Sequence, residues 1–184
     1  MTLTDSQLAQ LSKPQYNAYK YIPTHKTASR FDWSIRRFIW SFKKGEDKAV
    51  NRAVKVATKM LQEKFTRTDD VVLVCIPSSS ASVNQMRYEQ FSKAVCDATG
   101  MLNGYEHIKV EGEKLAIHEY GMRKELHDTH VVSFDKEWFN GKQVIIFDDI
   151  ITRGYNFAVM ADRLERFGAE VWGGCFIGRT PLYE

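Results

Sequence analysis

The chain of 184 residues carries 26 Lys and Arg against 23 Asp and Glu, a net charge of +3, and 43% of its residues are hydrophobic. That is the profile of a globular chain with a core of its own, not of a disordered or fibrous one. A charge of +3 is too weak by itself to mark a surface that tracks nucleic-acid phosphates.

The N-terminal "TLTDSQLAQLSKPQ" has neither the basic nor the apolar region of a secretory leader, and no apolar run approaches the roughly 18 residues of a membrane span. The expectation is a cytoplasmic protein with no membrane association. Next, "FDWSIRRFIWSFKKGEDKAVNRAVKVATKMLQEKF" predicts two helices broken at Gly45, the second with Ala49, Val50, Ala53, Val54, Ala57, Met60 and Leu61 on one face. Arg36, Arg37, Lys43 and Lys44 alternate with Trp33, Phe38, Trp40 and Phe42. Such a stripe can be a stacking platform for single-stranded nucleic acid, but it reads better as a helix that packs its rings and solvates its cations.

Three apolar runs, at residues 71–76, 144–147 and 171–177, have the length and β-branched content of buried strands. After the first come "IPSSSASVNQ", a helical stripe of Phe91, Ala94, Val95 and Ala98 closed by Gly100, and short strand candidates at 108–110 and 115–117. After the second, Phe157, Met160, Ala161, Leu164 and Phe167 keep helical spacing up to Gly168. Strands alternating with helices predict an α/β fold, a mainly parallel sheet flanked by helices. The division expected is one domain over 1–184, with a helical cap at 1–68 and an α/β core at 69–184. Cys75, Cys96 and Cys175 are isolated, and the first and last lie in apolar runs, so reduced core thiols are expected.

The segment "VIIFDDIITRGYNF" sets Asp148 and Asp149 side by side at the end of an apolar run. Two adjacent carboxylates repel, so the pair calls for a polyol, a metal or a cation. At the carboxyl end of a parallel strand it would face a ligand crevice. The loop of Thr152, Arg153, Gly154, Tyr155 and Asn156 would bring a hydroxyl, an amide and helix N-terminal N–H groups to a phosphate. A sugar phosphate satisfies both halves, with vicinal hydroxyls donating to the carboxylates or to a hydrated Mg2+. The plainer alternative is a strand end whose aspartate caps the next helix. The chain lacks G-x-x-x-x-G-K-[ST] and G-x-G-x-x-G, and Ile150 stands where an aspartyl-phosphate phosphatase would need a second aspartate. Its five histidines have no zinc-ligand spacing.

With its apolar run, D-D, two apolar positions, Thr, a variable residue and Gly, "VIIFDDIITRGYN" resembles the phosphoribosyl pyrophosphate (PRPP) signature of type I phosphoribosyltransferases. Arg153 and Asn156 stand where that family more often has Thr or Ser. The resemblance is closest to the ComF-like (competence protein F) branch. "SIRRFIWSFKKGEDKAVNRAVKVATKML" is similar to its helix, Lys and Gly segment, "CIPSSSASVNQMRYEQFSKAV" to its pyrophosphate loop, and "GMRKELHDTHVVSF" to its flexible loop. Many members carry a four-cysteine zinc module; this chain has no such cysteines, and zinc is not expected.

The resemblance implies the type I phosphoribosyltransferase fold with an N-terminal helical hood over the carboxyl ends of the strands. It implies Mg2+-dependent transfer of ribose 5-phosphate from PRPP to a nitrogenous small molecule, in nucleotide metabolism. Asp148 and Asp149 would hold the ribose hydroxyls directly or through hydrated Mg2+, the second also serving as a base. Ile151, Thr152, Arg153, Gly154, Tyr155 and Asn156 would surround the 5'-phosphate. Ser78, Ser79, Ser80 and Arg87 would meet the pyrophosphate, and Arg123 and Lys124 would close over it. The serines read equally well as a turn capping the next helix, and Arg123 and Lys124 as part of an exposed charged helix. A homodimer is a further expectation. The alternative is a non-catalytic, PRPP- or nucleotide-binding regulatory protein related to competence and DNA uptake, which would keep the same signature.

Overall fold

The computed structural model describes residues 2–111 and 131–182. Its main sheet has five parallel strands in the order β1 (Gln15–Lys20), β7 (Glu170–Arg179), β6 (Gln143–Ile151), β2 (Val72–Cys75) and β3 (Leu102–Asn103). An antiparallel pair, β4 (Ile108–Glu111) and β5 (Val131–Phe134), stands apart from it. The expected α/β class with a mainly parallel, helix-flanked sheet is therefore what the chain adopts.

Because side chains alternate across a strand, each central strand feeds two cores. Leu73, Cys75, Ile145, Phe147, Cys175 and Ile177 face α2 (Arg30–Lys43), α3 (Asp47–Lys64) and α5 (Gln90–Thr99). Val72, Val74, Val144, Ile146 and Val171 face α7 (Tyr155–Glu165) and the short α6 (Lys136–Phe139). The two helices expected around Gly45 are present, and Gly45 and Gly100 both sit at positive φ where their helices end. Cys75, Cys96 and Cys175 are buried free thiols, as expected. No helix among the described residues is long and apolar enough to cross a membrane.

Two expectations are corrected. Residues 1–68 are not wholly helical: Gln15–Lys20 forms the edge strand β1, paired with β7, so the sheet does not lie entirely within 69–184. Its Q-Y-N-A-Y-K has the half-exposed pattern of an edge and no apolar run to announce it. The second run does not stop at Phe147. β6 continues through Asp148 and Asp149 to Ile151, paired there among the described residues with β7 alone, because β2 leaves the sheet after Cys75.

This mismatch of strand lengths creates the crevice. The β2-to-β3 crossover places α5 on one face and the β6-to-β7 crossover places α7 on the other, so chain progression reverses between β2 and β6. Ligands in open parallel sheets bind beyond the carboxyl ends at such a reversal.

Candidate active site in the β2–β6 crevice

Where β6 outruns β2, a cavity of about 640 Å³ opens over the carboxyl ends of the strands. It lies within the range of small-molecule sites, about 300–1,000 Å³. Four of the five strands contribute residues at or near the point where they leave the sheet: Tyr21 after β1, Ile76 and Pro77 after β2, Asp148, Asp149 and Thr152 on and after β6, and Thr180 after β7. Lys43 closes one side from the last turn of α2, and Arg87 and Tyr88 close another. The N-terminal segment thus reaches over the strand ends through Tyr21, Pro23, His25 and Lys43, while the bodies of α2 and α3 cover a sheet face.

Arg87 and Tyr88 lie in a π-helical turn, Gln85–Glu89, between the short α4 (Ala81–Asn84) and α5. A π turn inserts an extra residue and shifts the helix register, a device frequent at functional sites. Here it directs Tyr88 inward and Arg87 to the acid pair. Tyr88, Phe42, Phe91 and Phe147 form one buried cluster with ring centroids 4.4–6.5 Å apart. Phe42 immediately precedes Lys43 and Phe147 immediately precedes Asp148, so one aromatic cluster seats charged groups from three elements.

The two aspartates are treated differently. Asp149 is 4% exposed and paired on both oxygens, with Lys43 Nζ 3.2 Å from Oδ1 and Arg87 Nη1 3.3 Å from Oδ2. Asp148 faces no cation at contact distance among the described residues. Its Oδ1 accepts from the Tyr88 hydroxyl at 3.1 Å and from the Asp149 N–H at 2.8 Å. Partial loss of water contact, followed by the neighbouring charge of Asp149, pushes its carboxyl up to about 7 against the opposing pull of those hydrogen bonds. Burial, then the charge of Asp148, raises the Tyr88 phenol well above its ordinary range, so it remains a neutral donor.

A second hollow of about 250 Å³ adjoins the first, sharing Ile76, Asp148, Ile150, Thr152 and Asn156 and adding Arg153, Gly154 and Tyr155. It lies at the N-terminus of α7, whose free N–H groups and positive dipole end favour an anion. Of the expected phosphate-site residues, Ile151 offers only backbone, since its side chain is in the core. Gly154, at φ +77°, starts the helix; a Cβ there would sit 3.0 Å from Leu11 Cδ2 and 3.2 Å from Gln15 Oε1. We expect Gly154→Ala to cost about 1–2 kcal/mol through the left-handed backbone alone. It should also weaken binding of ribose 5-phosphate, which calorimetry would measure.

The structure gathers Asp148, Asp149, Arg87, Thr152 and Asn156 about the wider hollow. It does not bring Ser78, Ser79 or Ser80 into the lining of either hollow. The Ser78 N–H donates to Asn84 Oδ1, and Ser80 caps α4 by accepting from the Val83 N–H. Arg123 and Lys124, with the strand candidate at 115–117, lie outside the described residues. Sequence reading passed over Lys43 and Tyr88 as site residues. Lys43 ends an amphipathic helix and Tyr88 sits in a helical register that only the π turn redirects, so no local pattern separates either from a surface or core residue.

No family model matches the chain, and no curated protein matches it. Among solved structures, the crystal structure of purine phosphoribosyltransferase from Pyrococcus horikoshii Ot3 is similar with a TM-score of 0.40 and 16% identity, over 75% of this chain and 94% of that one. A likeness of that extent carries no weight for activity or substrate.

Proposed function

We propose that the crevice binds PRPP and transfers its ribose 5-phosphate group to a nitrogenous small molecule. The observation that carries this reading is the shared wall of the two hollows: Asp148, Thr152 and Asn156 line both, so an acid pair suited to a sugar diol adjoins an anion site at the start of α7. Residues 152–156 hold the 5'-phosphate there through a hydroxyl, an amide and backbone N–H groups. Asp148 Oδ2, to which none of the described residues donates a hydrogen bond, accepts from a ribose hydroxyl.

Among the described residues no group of three His, Cys, Asp or Glu is placed to hold a metal ion. The donor set still fits Mg2+, which is commonly held by one or two carboxylates together with substrate phosphates; Asp148 and Asp149 would supply the carboxylates. Bound there, Mg2+ would offset charge on the departing diphosphate. In the transfer, the bond from the anomeric carbon to the diphosphate oxygen breaks and its electron pair leaves with the diphosphate. The acceptor nitrogen's lone pair forms the new bond, and its proton passes to water or to the acid pair. The chain's own contribution is to hold sugar and acceptor in line and exclude competing water.

Calorimetric titration with PRPP, with and without Mg2+, tests this beside an Asp148→Asn, Asp149→Asn double variant. Thr152→Val, which leaves the acid pair intact, keeps the test readable if the double variant fails to fold. Metal-dependent binding lost in the variants is expected; no PRPP binding under any metal condition would overturn the proposal. Binding without turnover of any base in an acceptor panel would favour a regulatory protein over a transferase.

A further inference from the structure

Arg36 departs from the expectation that α2 turns its cations to solvent. It is 1% exposed, alongside the buried Ile35 and Ile39, whereas Arg37 beside it is exposed. A guanidinium kept from water needs acceptors for its donors. Among the described residues no carboxylate lies within ion-pair distance of it. Asp32, one turn earlier on α2, accepts instead from the N–H and hydroxyl of Ser29. The bonds of Arg36 go to backbone: Nε donates to the Ile22 carbonyl at 2.7 Å, and Nη2 donates to the carbonyls of Pro23 and Lys26 at 2.5 and 2.9 Å. The guanidinium also lies over the Trp33 ring, 4.6 Å from its centroid.

Those three carbonyls belong to the strap of residues 21–29 that joins β1 to α2. The strap's root is fixed by other means. The Tyr21 N–H donates to the Arg179 carbonyl at the end of β7, a Cβ on Gly178 would lie 3.1 Å from Tyr21 Cβ, and Ile22 is buried. Beyond the root, the Lys26 N–H closes a turn onto the Pro23 carbonyl, and Thr24, His25 and Lys26 are exposed. Arg36 reaches this turn from below. A planar guanidinium bonded to three carbonyls within five residues sets the turn's orientation as well as its distance, which the point charge of a lysine does not. The turn in its place carries Pro23 and His25, with Tyr21 from the root, into the lining of the wider hollow that Asp148 and Asp149 also line. None of these three strap residues lines the hollow at the start of α7.

We propose that Arg36 is a positioning residue for the crevice: it clasps the strap so that Pro23 and His25 stand as a preformed wall before any ligand arrives. Ligand groups that meet this wall then bind without first having to order it, and groups held at the start of α7 are indifferent to it. The assignment of those groups rests on the PRPP reading. On that reading the 5'-phosphate lies at α7, and whatever is joined to the ribose at its anomeric carbon lies in the wider hollow.

Amide hydrogen exchange, read beside calorimetric titrations with ribose 5-phosphate and with adenosine and uridine 5'-monophosphates, tests the clasp. In Arg36→Met, exchange in residues 21–28 should rise about tenfold while residues 144–151 keep the wild-type rate. The better-bound nucleotide should weaken about tenfold and ribose 5-phosphate by no more than about twofold. Arg36→Lys keeps the charge without the fork and remains readable if Arg36→Met does not fold; both readouts should shift the same way. Wild-type exchange at 21–28 in either folded variant overturns the clasp. Equal weakening of nucleotide and ribose 5-phosphate overturns it as well, reducing Arg36 to a general support of the fold. Nucleotides that bind the wild type no more tightly than ribose 5-phosphate overturn the ligand-facing wall but leave the PRPP reading standing. If neither ribose 5-phosphate nor PRPP binds, the PRPP reading falls, and exchange at 21–28 by itself upholds or overturns the clasp.

Discussion

Asp149→Asn lowers the stability of the free protein at mildly alkaline pH by about 2–3 kcal/mol. Asp149 is buried, and it is the only carboxylate among the described residues that pairs with either Lys43 or Arg87. The amide can still accept one hydrogen bond, but its NH2 group then faces the other cation. Removing one partner of a buried ion pair typically costs about 3–5 kcal/mol. Lys43 is partly exposed and regains water, and loss of the Asp149 charge relieves Asp148, so the lower figure applies. For a chain of this length the melting temperature should fall by about 4–12 °C. A thermal melt followed by circular dichroism reads this directly, and an unchanged midpoint would show that the two cations do not depend on Asp149.

The same substitution one residue earlier should have the opposite sign. Folded, the Asp148 carboxyl keeps its proton up to about 7, against an ordinary value of 3.8. Between those values the folded state binds more protons than the unfolded one, so this group's contribution to stability falls as pH rises through the window. Above it, the folded protein must carry an ionised Asp148 beside Asp149. Asparagine carries no charge at any pH and still offers an oxygen to Tyr88 and to the Asp149 N–H. Three units at about 1.4 kcal/mol each would set a ceiling near 4 kcal/mol. Asp148 is only half-buried, so solvent screening brings the expected gain to about 2 kcal/mol. Asp148→Asn should thus melt higher than wild type above pH 7, with the gain shrinking toward zero near pH 4. A difference that does not vary with pH would show that Asp148 titrates like any exposed aspartate.

The central strands were legible because each carries an uninterrupted apolar run, and both faces of the sheet are covered. Helices α5 and α7 were legible from their spacing, and the break between α2 and α3 from Gly45. The acid pair and its loop were legible as a segment because their parts are adjacent in the chain. β1 was not, since an edge strand half in water needs no apolar run. Nor was the environment that separates Asp148 from Asp149. It depends on Lys43, Arg87 and Tyr88, contributed by elements far away in sequence, and on a π turn that has no periodic signature.

The pairing of β1 with β7 joins residues far apart in the chain. Arg179 donates to the Gln15 carbonyl across 164 positions of sequence, and the Pro14 carbonyl accepts from the Gly174 N–H. During synthesis, residues before β1 and the floor beneath Gly154 must wait until residue 179 has been made. Contacts this distant form late and slowly, because the loop they close is long. Until then, β7 has an unpaired edge, the kind of surface on which partly folded chains associate. Leu11 and Gln15, which buttress the 152–156 loop, arrive with that same strand. A chain whose β7 has docked on β6 can therefore hold the aspartates in place before β1 gives it a finished phosphate loop.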